Sequence, residues 1–403
     1  MTALLLASMV LELLVLMVLL AHSRHHLRRS FPGAAPGGPS PASGPWPAYP
    51  RVALIVPLTG NTPEMRAALT SLLTQPYPNY ETVLVTRDLE DPATSLVQSL
   101  LSRHPQSRHI VSGPASGCSQ KNHNILAGLG VLDDSVEILV FCDSTHDAPP
   151  NFLQELIHPL ATGAAVLTTG FHRIIPGDAR VATLGMLQTV LTIHLLHSLP
   201  SVILPWGGAT AILRSVFRES GVEGVWGSSM LDDLPLGRRL LRFGIRVVPV
   251  AAATMSTKLT GQTLDGWSTW LTRQILYAKY CLPLSWLAAS LAVIGLAGPI
   301  LLAGLAVLGG LVGLTAPPLA LASLGFLLVF TAIGAWCRTL VPQKAPLGPW
   351  LLAFYANIFM AAWCYLKTWR TNTLSWRGIS YRVTWGGRVR EIILKPGPQR
   401  HTP

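Results

Sequence analysis

Residues 136–147 run VEILVFCDSTHD, an apolar stretch broken by one charge and followed directly by an aspartate at 143. A short apolar run bounded by polar residues reads as a strand buried on both faces. Working outward, the same pattern recurs. Arg51–Leu58 (RVALIVPL), Tyr80–Val85 (YETVLV) and His109–Ser112 are further strands, and Asn61–Leu73, Pro92–Leu101 and Asn122–Gly130 have helical spacing between them. Strands alternating with helices at this interval predict an α/β domain, with a mostly parallel sheet, βαβ crossovers and flanking helices. In such sheets ligands lie at the carboxyl ends of the strands, so candidate site residues are expected just after Val56, Val85 and Cys142.

Outside this domain the composition changes. Half of the 403 residues are hydrophobic and 12% are charged, where roughly 25% is usual for a soluble domain. With a mean hydropathy of +0.42, this argues against a soluble, disordered or fibrous chain. Ala3 to Ala21 is apolar except for Ser8 and Glu12 and is long enough to span a bilayer. His22, Arg24, His25, His26, Arg28 and Arg29 follow that run instead of preceding it, which marks an uncleaved anchor over 1–29 with its C-terminal side in the cytoplasm. Glu12 inside a span is a functional site, a partner for another helix or a carboxyl near the interface. Residues 30–50, rich in Pro, Gly, Ala and Ser, make a stiff tether. The α/β domain is expected over 51–280. Within it, 180–206 is apolar but carries His194 and His197, and reads as a helix lying in the membrane interface. Leu284–Leu314, Leu319–Trp336 and Leu347–Tyr365 make three further spans within 281–368, ahead of a basic tail over 369–403.

The charge surplus, 30 − 19 = +11, suits nucleic acid, anionic headgroups or a phosphorylated substrate. Its concentration beside the spans favours headgroups, and nucleic acid loses support. Topology carries a conflict. Three spans after a cytoplasmic domain put the tail outside, whereas Lys367, Arg370, Arg377, Arg382, Arg388 and Arg390 argue for inside. The five cysteines have no metal-ligand spacing and read as small buried hydrophobes.

Three acidic groups fall where the sheet places a ligand: Asp88, Glu90 and Asp91 after YETVLV, Asp143 after VEILVFC, and Asp232-Asp233 opening a helix whose Leu236, Leu240 and Leu241 face inward. One carboxylate touching a nucleotide, one holding a divalent cation and one deprotonating a hydroxyl is the division of labour needed to move a phosphate-activated sugar. Taken singly, each also reads as a loop solubiliser or a helix N-terminal charge. Asp147 reads as an extra ligand or as the cap of the helix introduced by Pro149 and Pro150. His123 and His146 read as lining residues, and Trp226, Trp267 and Trp270 as sugar- or lipid-packing aromatics or as interface anchors.

Further segments fall in a fixed order: Val56-Pro57-Leu58 with Gly60, Glu90-Asp91-Pro92-Ala93, Lys121 and Asn124 in SQKNHN, Cys142-Asp143-Ser144, Gly207-Gly208 with Arg214 in GGATAILR, Asp232-Asp233, and SWRGISYRVTWGG with Trp376, Arg377, Tyr381 and Arg382. In that order they resemble the ceramide glucosyltransferase family, membrane-bound inverting glycosyltransferases with a GT-A-type nucleotide-sugar-binding domain. The resemblance implies that Pro57, Leu58 and Asp91 (its DDPA) hold the nucleoside and that Lys121 (its NPKxNN) offsets charge. Asp143, from a reduced DxD, would hold Mg2+ or Mn2+ with the diphosphate, and Asp233 of an ED pair would be the catalytic base. Its (Q/R)xxRW motif falls on Arg273-Gln274-Ile275-Leu276-Tyr277, so Arg273 matches and, by the resemblance, binds the nucleotide-sugar and offsets diphosphate charge with Lys121, while Leu276 and Tyr277 replace an Arg and a Trp. Lys279 is the nearest substitute cation. Asp232, Gly208, Tyr277 and Lys279 are assigned to the acceptor end or to supporting positions.

The implied activity is transfer of glucose from a UDP-sugar to a lipid hydroxyl such as that of ceramide, with inversion. The implied setting is a multi-pass protein of a bacterial inner or cell membrane with its catalytic domain cytoplasmic. The competing readings are a transferase acting on a hopanoid, diacylglycerol or other lipid, and a degenerate, non-catalytic membrane subunit. A processive polymerase is disfavoured by the altered motif and the few spans, and a transporter by the large polar βαβ block.

Overall fold

The computed structural model describes residues 2–30, 49–196 and 203–394, with the side chains of 23–30 and 196 excepted. Nearly all of the expected tether, the side chains of the basic flank, His197 and the end of the tail lie outside the described residues. The described chain forms two compact units, one of residues 49–173, 203–257 and 372–394, the other of residues 2–30, 174–196 and 258–371.

The first unit is built on a seven-stranded sheet. Strand β1 (Val52–Pro57) is buried at every position, as befits a central strand covered on both faces. It runs parallel to β2 (Tyr80–Thr86) on one side and to β4 (Ile138–Cys142) on the other, with Val52 opposite both Tyr80 and Ile138. Strand β3 (Ser107–Val111) extends the parallel part. Beyond β4 lies β6 (Ala209–Leu213), antiparallel, with Cys142 opposite Ala209, and then β5 (Leu167–Pro176) and β7 (Val248–Leu259). The order β3-β2-β1-β4-β6-β5-β7 is the mixed, mostly parallel sheet expected. This register puts Leu58, Thr86 and Asp143 at one edge and brings Gly207-Gly208 opposite Asp143.

Alternation along β1 supplies two apolar layers. Val52, Leu54 and Val56 pack with α2 (Met65–Leu73), α3 (Pro92–Leu101) and α5 (Phe152–Ala161). Ala53 and Ile55 pack with α4 (Gln120–Leu129), α7 (Arg214–Glu219), α8 (Val222–Trp226) and α9 (Asp233–Leu241). On α9, Leu236 and Leu240 are buried, whereas Leu241 is 51% exposed. Leu241 follows Leu240 by one residue, about 100° further round the helix, and so points away from the sheet that Leu240 packs on; the inward reading of Leu241 does not hold.

The tail is more than a basic extension. Residues 373–394 fold into an antiparallel sheet of β8 (Thr373–Trp376), β9 (Ile379–Thr384) and β10 (Arg388–Leu394). Arg377 and Gly378, both at positive φ, make the tight turn between the first two strands. Leu374, Ile379, Tyr381 and Val383 are buried at alternate positions, and the sheet docks on the catalytic unit through Met230 N–H to Gly387 O (2.8 Å) and Val389 N–H to Ser228 O (2.9 Å). Within this sheet Arg382 of β9 pairs with Glu391 of β10 at 2.6 Å.

The second unit is helical: α1 (Thr2–Ser30), α6 (Val181–Leu196), α10 (Leu264–Cys281), α11 (Pro283–Leu311), α12 (Pro317–Cys337) and α13 (Leu347–Thr368). Four of these, α1, α11, α12 and α13, are long and apolar enough to cross a membrane. Helix α6, with 16 residues, reaches about 24 Å, short of the roughly 30 Å of a hydrocarbon core. Its polar side chains face neighbouring helices: Thr189 Oγ1 donates to Asn357 Oδ1 (2.6 Å) and Gln188 Nε2 to Trp350 O (3.0 Å). The buried Trp267 indole donates to Thr189 (3.2 Å), so this residue is a packing element and neither a sugar platform nor an anchor. Glu12 is buried in α1, and neither of its carboxylate oxygens has a hydrogen-bond partner among the described residues. The start of α11 meets the end of α13, where Trp286 Nε1 donates to Thr368 Oγ1 (3.1 Å).

Candidate active site

Strand β4 ends at Cys142 and hands Asp143 to the sheet edge, where its N–H donates to Gly208 O (3.3 Å). Helix α4 starts beside it, capped by Ser119, whose Oγ accepts from Asn122 N–H (3.2 Å), so Lys121 sits in the first turn. The Lys121 ammonium lies 2.8 Å from Asp143 Oδ1 and 2.9 Å from Asp232 Oδ2, and donates to Gly207 O (3.3 Å). Asp233 opens α9. Its Oδ1 accepts from Leu234 N–H (2.7 Å) and its Oδ2 from Gly207 N–H (3.3 Å), where a helix N-terminus favours negative charge. A Cβ at 207 would stand 2.5 Å from Asp232 Oδ2 and 2.9 Å from Lys121 Nζ, so any side chain there displaces the cluster.

The turn ahead of Asp232 is pinned from both sides. Asn122 Nδ2 donates to the carbonyls of Leu231 (3.0 Å) and Ser229 (3.1 Å), and the Trp226 indole donates to Asp232 O (2.8 Å). Trp226 is fully buried, so it holds this turn and contacts no ligand.

Three carboxylates face one ammonium. Burial opposes the charge on Lys121, but Asp143, Asp232 and Asp233 hold its pKa well above the ordinary lysine value. Burial would likewise raise Asp143, yet Lys121 and His146 keep its carboxyl well below the usual range. Asp232 and Asp233 are raised, by burial first and by the neighbouring carboxylates, with Lys121 opposing. Asp233 stays partly exposed while Asp232 is nearly closed off. One of the pair is therefore accessible to a substrate and the other anchors Lys121.

A second wall joins at Asp143. His146 Nε2 lies 3.8 Å from Asp143 Oδ2. The Nδ1 atoms of His146 and His172 both lie 2.7 Å from Thr257 Oγ1, a hydroxyl that can donate to only one of them. His172 stacks on Trp206 at 4.8 Å and 7°, and Trp206 lies over Gly208, where its ring leaves no room for a Cβ. On the other side Asp91 caps α3 through Ala93 N–H (2.9 Å) and takes Gly60 N–H (2.8 Å). Asn124 Nδ2 donates to the carbonyls closing β1 and β2, Leu58 O (3.2 Å) and Val85 O (3.1 Å). Pro57 and Leu58 are buried, so a nucleoside would meet their backbone and Thr59-Gly60.

The structure thus gathers Leu58, Asp91, Lys121, Asp143, Gly208, Asp232 and Asp233 in the catalytic unit. Arg273, Tyr277 and Lys279 lie on α10 of the helical unit. Lys279 Nζ donates to Thr368 O and Thr371 O, and Leu276 is buried, so the ammonium suggested as a substitute cation is taken up by main-chain carbonyls. Arg214 reaches Asp133 O and Val136 O at the opposite end of β4. Asp147 exchanges backbone hydrogen bonds with Ser256, and α5 is preceded by Asn151 in place of an Asp147 cap. Asp88 pairs with Arg87 at 2.7 Å, and His123 faces Ser112 O at 3.1 Å. Sequence reasoning missed Asn122, His172, Thr257 and Trp206. The Gly207-Gly208 pair, which requires large groups close by, was the available signal for Trp206.

The profile of glycosyl transferase family 21 matches residues 7–389. The chain belongs to glycosyl transferase family 21. This bears out the resemblance read from its motifs, and the family 21 protein is a glycosyltransferase. Among solved structures it is similar to "Mannosyltransferase PcManGT from Pyrobaculum calidifontis in complex with GDP-Man and Mn2+", with 18% identity over 90% of this chain and 99% of that one and a TM-score of 0.53. At that identity the likeness shows the GT-A-like fold alone. A mycobacterial protein of known crystal structure aligns at 19% identity over 57% of this chain and 74% of that one, with a TM-score of 0.35.

Among the described residues no group of three or more His, Cys, Asp or Glu side chains forms a metal cage. The donor chemistry still fits a hard divalent cation, since Mg2+-type ions are often held by one or two carboxylates plus substrate phosphates. The Asp143 side chain is 32% exposed and stands beside an excess of carboxylates over ammonium.

Proposed function

We propose that this family 21 glycosyltransferase moves a sugar, glucose by its motifs, from a UDP-sugar to the hydroxyl of a membrane lipid such as ceramide, with inversion at the anomeric carbon. The observation that carries the reading is the pairing of a partly exposed Asp233, raised in pKa, with the Lys121–Asp143–Asp232 cluster at the carboxyl edge of the sheet. A carboxylate whose pKa is pushed toward neutrality is a stronger base. Asp233 takes the proton of the lipid hydroxyl as its oxygen bonds to the anomeric carbon and the bond to the diphosphate breaks. Lys121 faces the charge that collects on the departing diphosphate. Asp143 would hold a Mg2+ or Mn2+ ion, which when bound supplies further positive charge at that diphosphate. The loop of Thr59, Gly60 and Asp91 receives the uracil.

The membrane placement follows the same proposal. The tail sheet belongs to the catalytic unit, so Arg377, Arg382, Arg388 and Arg390 share its side, and the positive-inside tendency puts both in the cytoplasm of a bacterial inner or cell membrane. The chain leaves the catalytic unit after residue 257 and rejoins it at 372, which calls for an even number of complete crossings. One of the apolar helices α11, α12 and α13 therefore enters and leaves by one face, in keeping with the meeting of Trp286 and Thr368.

The alternative acceptor is a hopanoid or diacylglycerol hydroxyl: Leu276 and Tyr277 stand where the family motif, which lies against the diphosphate and the acceptor end of the cleft, has Arg and Trp, and Lys279 is bound to main-chain carbonyls. Incubation of the protein in vesicles with a panel of UDP-sugars and lipids, read by UDP release and product mass, tests the proposal. Glycolipid from ceramide supports it, and glycolipid from another lipid selects the alternative. No turnover with any donor replaces both with a non-catalytic subunit.

A further inference from the structure

Gln120 is the first residue of α4, directly before Lys121, and stands where the NPKxNN pattern has proline. A proline there has no N–H to give. Gln120 donates its N–H to the Tyr381 hydroxyl oxygen at 3.1 Å, and both residues are closed to solvent, with Gln120 2% and Tyr381 0% exposed. The Gln120 side chain is wired into the loop before the helix, its Nε2 donating to Gly113 O (2.9 Å) and Asn124 Oδ1 (2.8 Å) and its Oε1 accepting from Ala115 N–H (3.0 Å).

The same tail sheet grips the other side of the site. Val389 N–H reaches Ser228 O at 2.9 Å and Met230 N–H reaches Gly387 O at 2.8 Å, two residues before Asp232. Ser119 N–H to Ser229 O (3.0 Å) ties these two gripped segments together. The segment delivering the ammonium and the segment delivering its buried carboxylate thus both rest on residues that follow the last apolar helix.

We propose that Tyr381 is a positioning residue for sugar transfer: through the Gln120 N–H it fixes the first turn of α4, and with it the place of Lys121 between Asp143 and Asp232. The inference rests on reading that cluster as the transfer centre. A buried N–H left without an acceptor is costly, so the first turn of α4 would shift to find another partner when the hydroxyl is removed. A misplacement on the scale of an ångström is enough to slow chemistry without abolishing binding.

The test uses the full chain in lipid nanodiscs. Tyr381→Phe keeps the ring and removes the acceptor, and it is expected to lower kcat about tenfold while leaving the donor KM within about twofold. Amide exchange at Gln120 is expected to quicken in the same variant. Ile379→Val, which trims the same strand's packing, serves as the control. It should lower the Tm to a similar degree and leave kcat unchanged. The proposal is overturned by a Tyr381→Phe enzyme with wild-type kcat, or by equal losses of kcat in both variants, which would mean that the tail acts through stability alone. If the wild type itself turns over no sugar, the functional reading has failed, and amide exchange still decides the clasp, with an unchanged Gln120 amide in Tyr381→Phe overturning it.

Discussion

Replacing Lys121 by Met keeps the length of the side chain and deletes the one ammonium among three carboxylates. The lost contacts are 2.8 Å to Asp143 and 2.9 Å to Asp232, with Lys121 and Asp232 side chains 19% and 5% exposed and Asp143 32% exposed. Removing one partner of a buried pair costs about 3–5 kcal/mol, and the solvent at Asp143 screens part of this, so the lower end, about 3 kcal/mol, is expected. The pH dependence follows from the direction of each shift. The depressed Asp143 carboxyl contributes stability that is full above the usual carboxylate range and is lost as pH falls through its folded value. The raised Asp232 and Asp233 contribute in the opposite sense, stabilising below the usual range and losing that contribution as pH rises. Without Lys121, Asp143 joins the raised group. The gap between wild type and Lys121→Met should therefore be widest above neutral pH and close as the carboxyls protonate. Native-state amide exchange along α4 is the assay, and about 3 kcal/mol corresponds to roughly hundredfold faster exchange at neutral pH. Exchange within about threefold of wild type, or a gap that does not narrow in acid, would show that Lys121 does not hold the three carboxylates together.

Gly207→Ala places a Cβ 2.5 Å from Asp232 Oδ2, and sugar transfer should fall about hundredfold as the cluster is pushed apart, measured as initial rate at saturating donor. Asp91→Ala removes the cap of α3 and the acceptor of Gly60 N–H. A loss of about 1 kcal/mol in denaturant titration is expected, together with a raised donor KM. Chelation by EDTA should suppress transfer and added Mn2+ or Mg2+ should restore it, read by UDP release. Full activity after exhaustive chelation would count against the assignment of a cation to Asp143.

Much of the fold was legible because β-branched runs such as VALIVP admit one reading when both faces are buried. The transition from strand to acidic residue at Asp143 and the helix opening at Asp232-Asp233 were equally plain. What the linear pattern hid were groupings set by tertiary contact. ISYRVT carries a strand pattern, but its arginines and the short turns around it hide that Ile379, Tyr381 and Val383 are buried together against the catalytic unit. The sequence marks Lys121 as a charge for the diphosphate, and only tertiary contact makes it bridge two carboxylates. His172 and Thr257 are distant in sequence from His146 and meet it only because β5 and β7 close the sheet beside β4 and β6. Leu241 is exposed although Leu240 beside it is fully buried, because adjacent helix positions point about 100° apart and only one of the two can face the sheet.

The central claim is that Asp233 deprotonates a lipid hydroxyl. Its most direct test is Asp233→Asn in vesicles containing ceramide, with glycolipid formation followed by mass spectrometry and UDP binding followed by calorimetry. No glycolipid is expected from the variant, with undiminished UDP affinity and an inverted product from the wild type. Normal turnover by Asp233→Asn would contradict it.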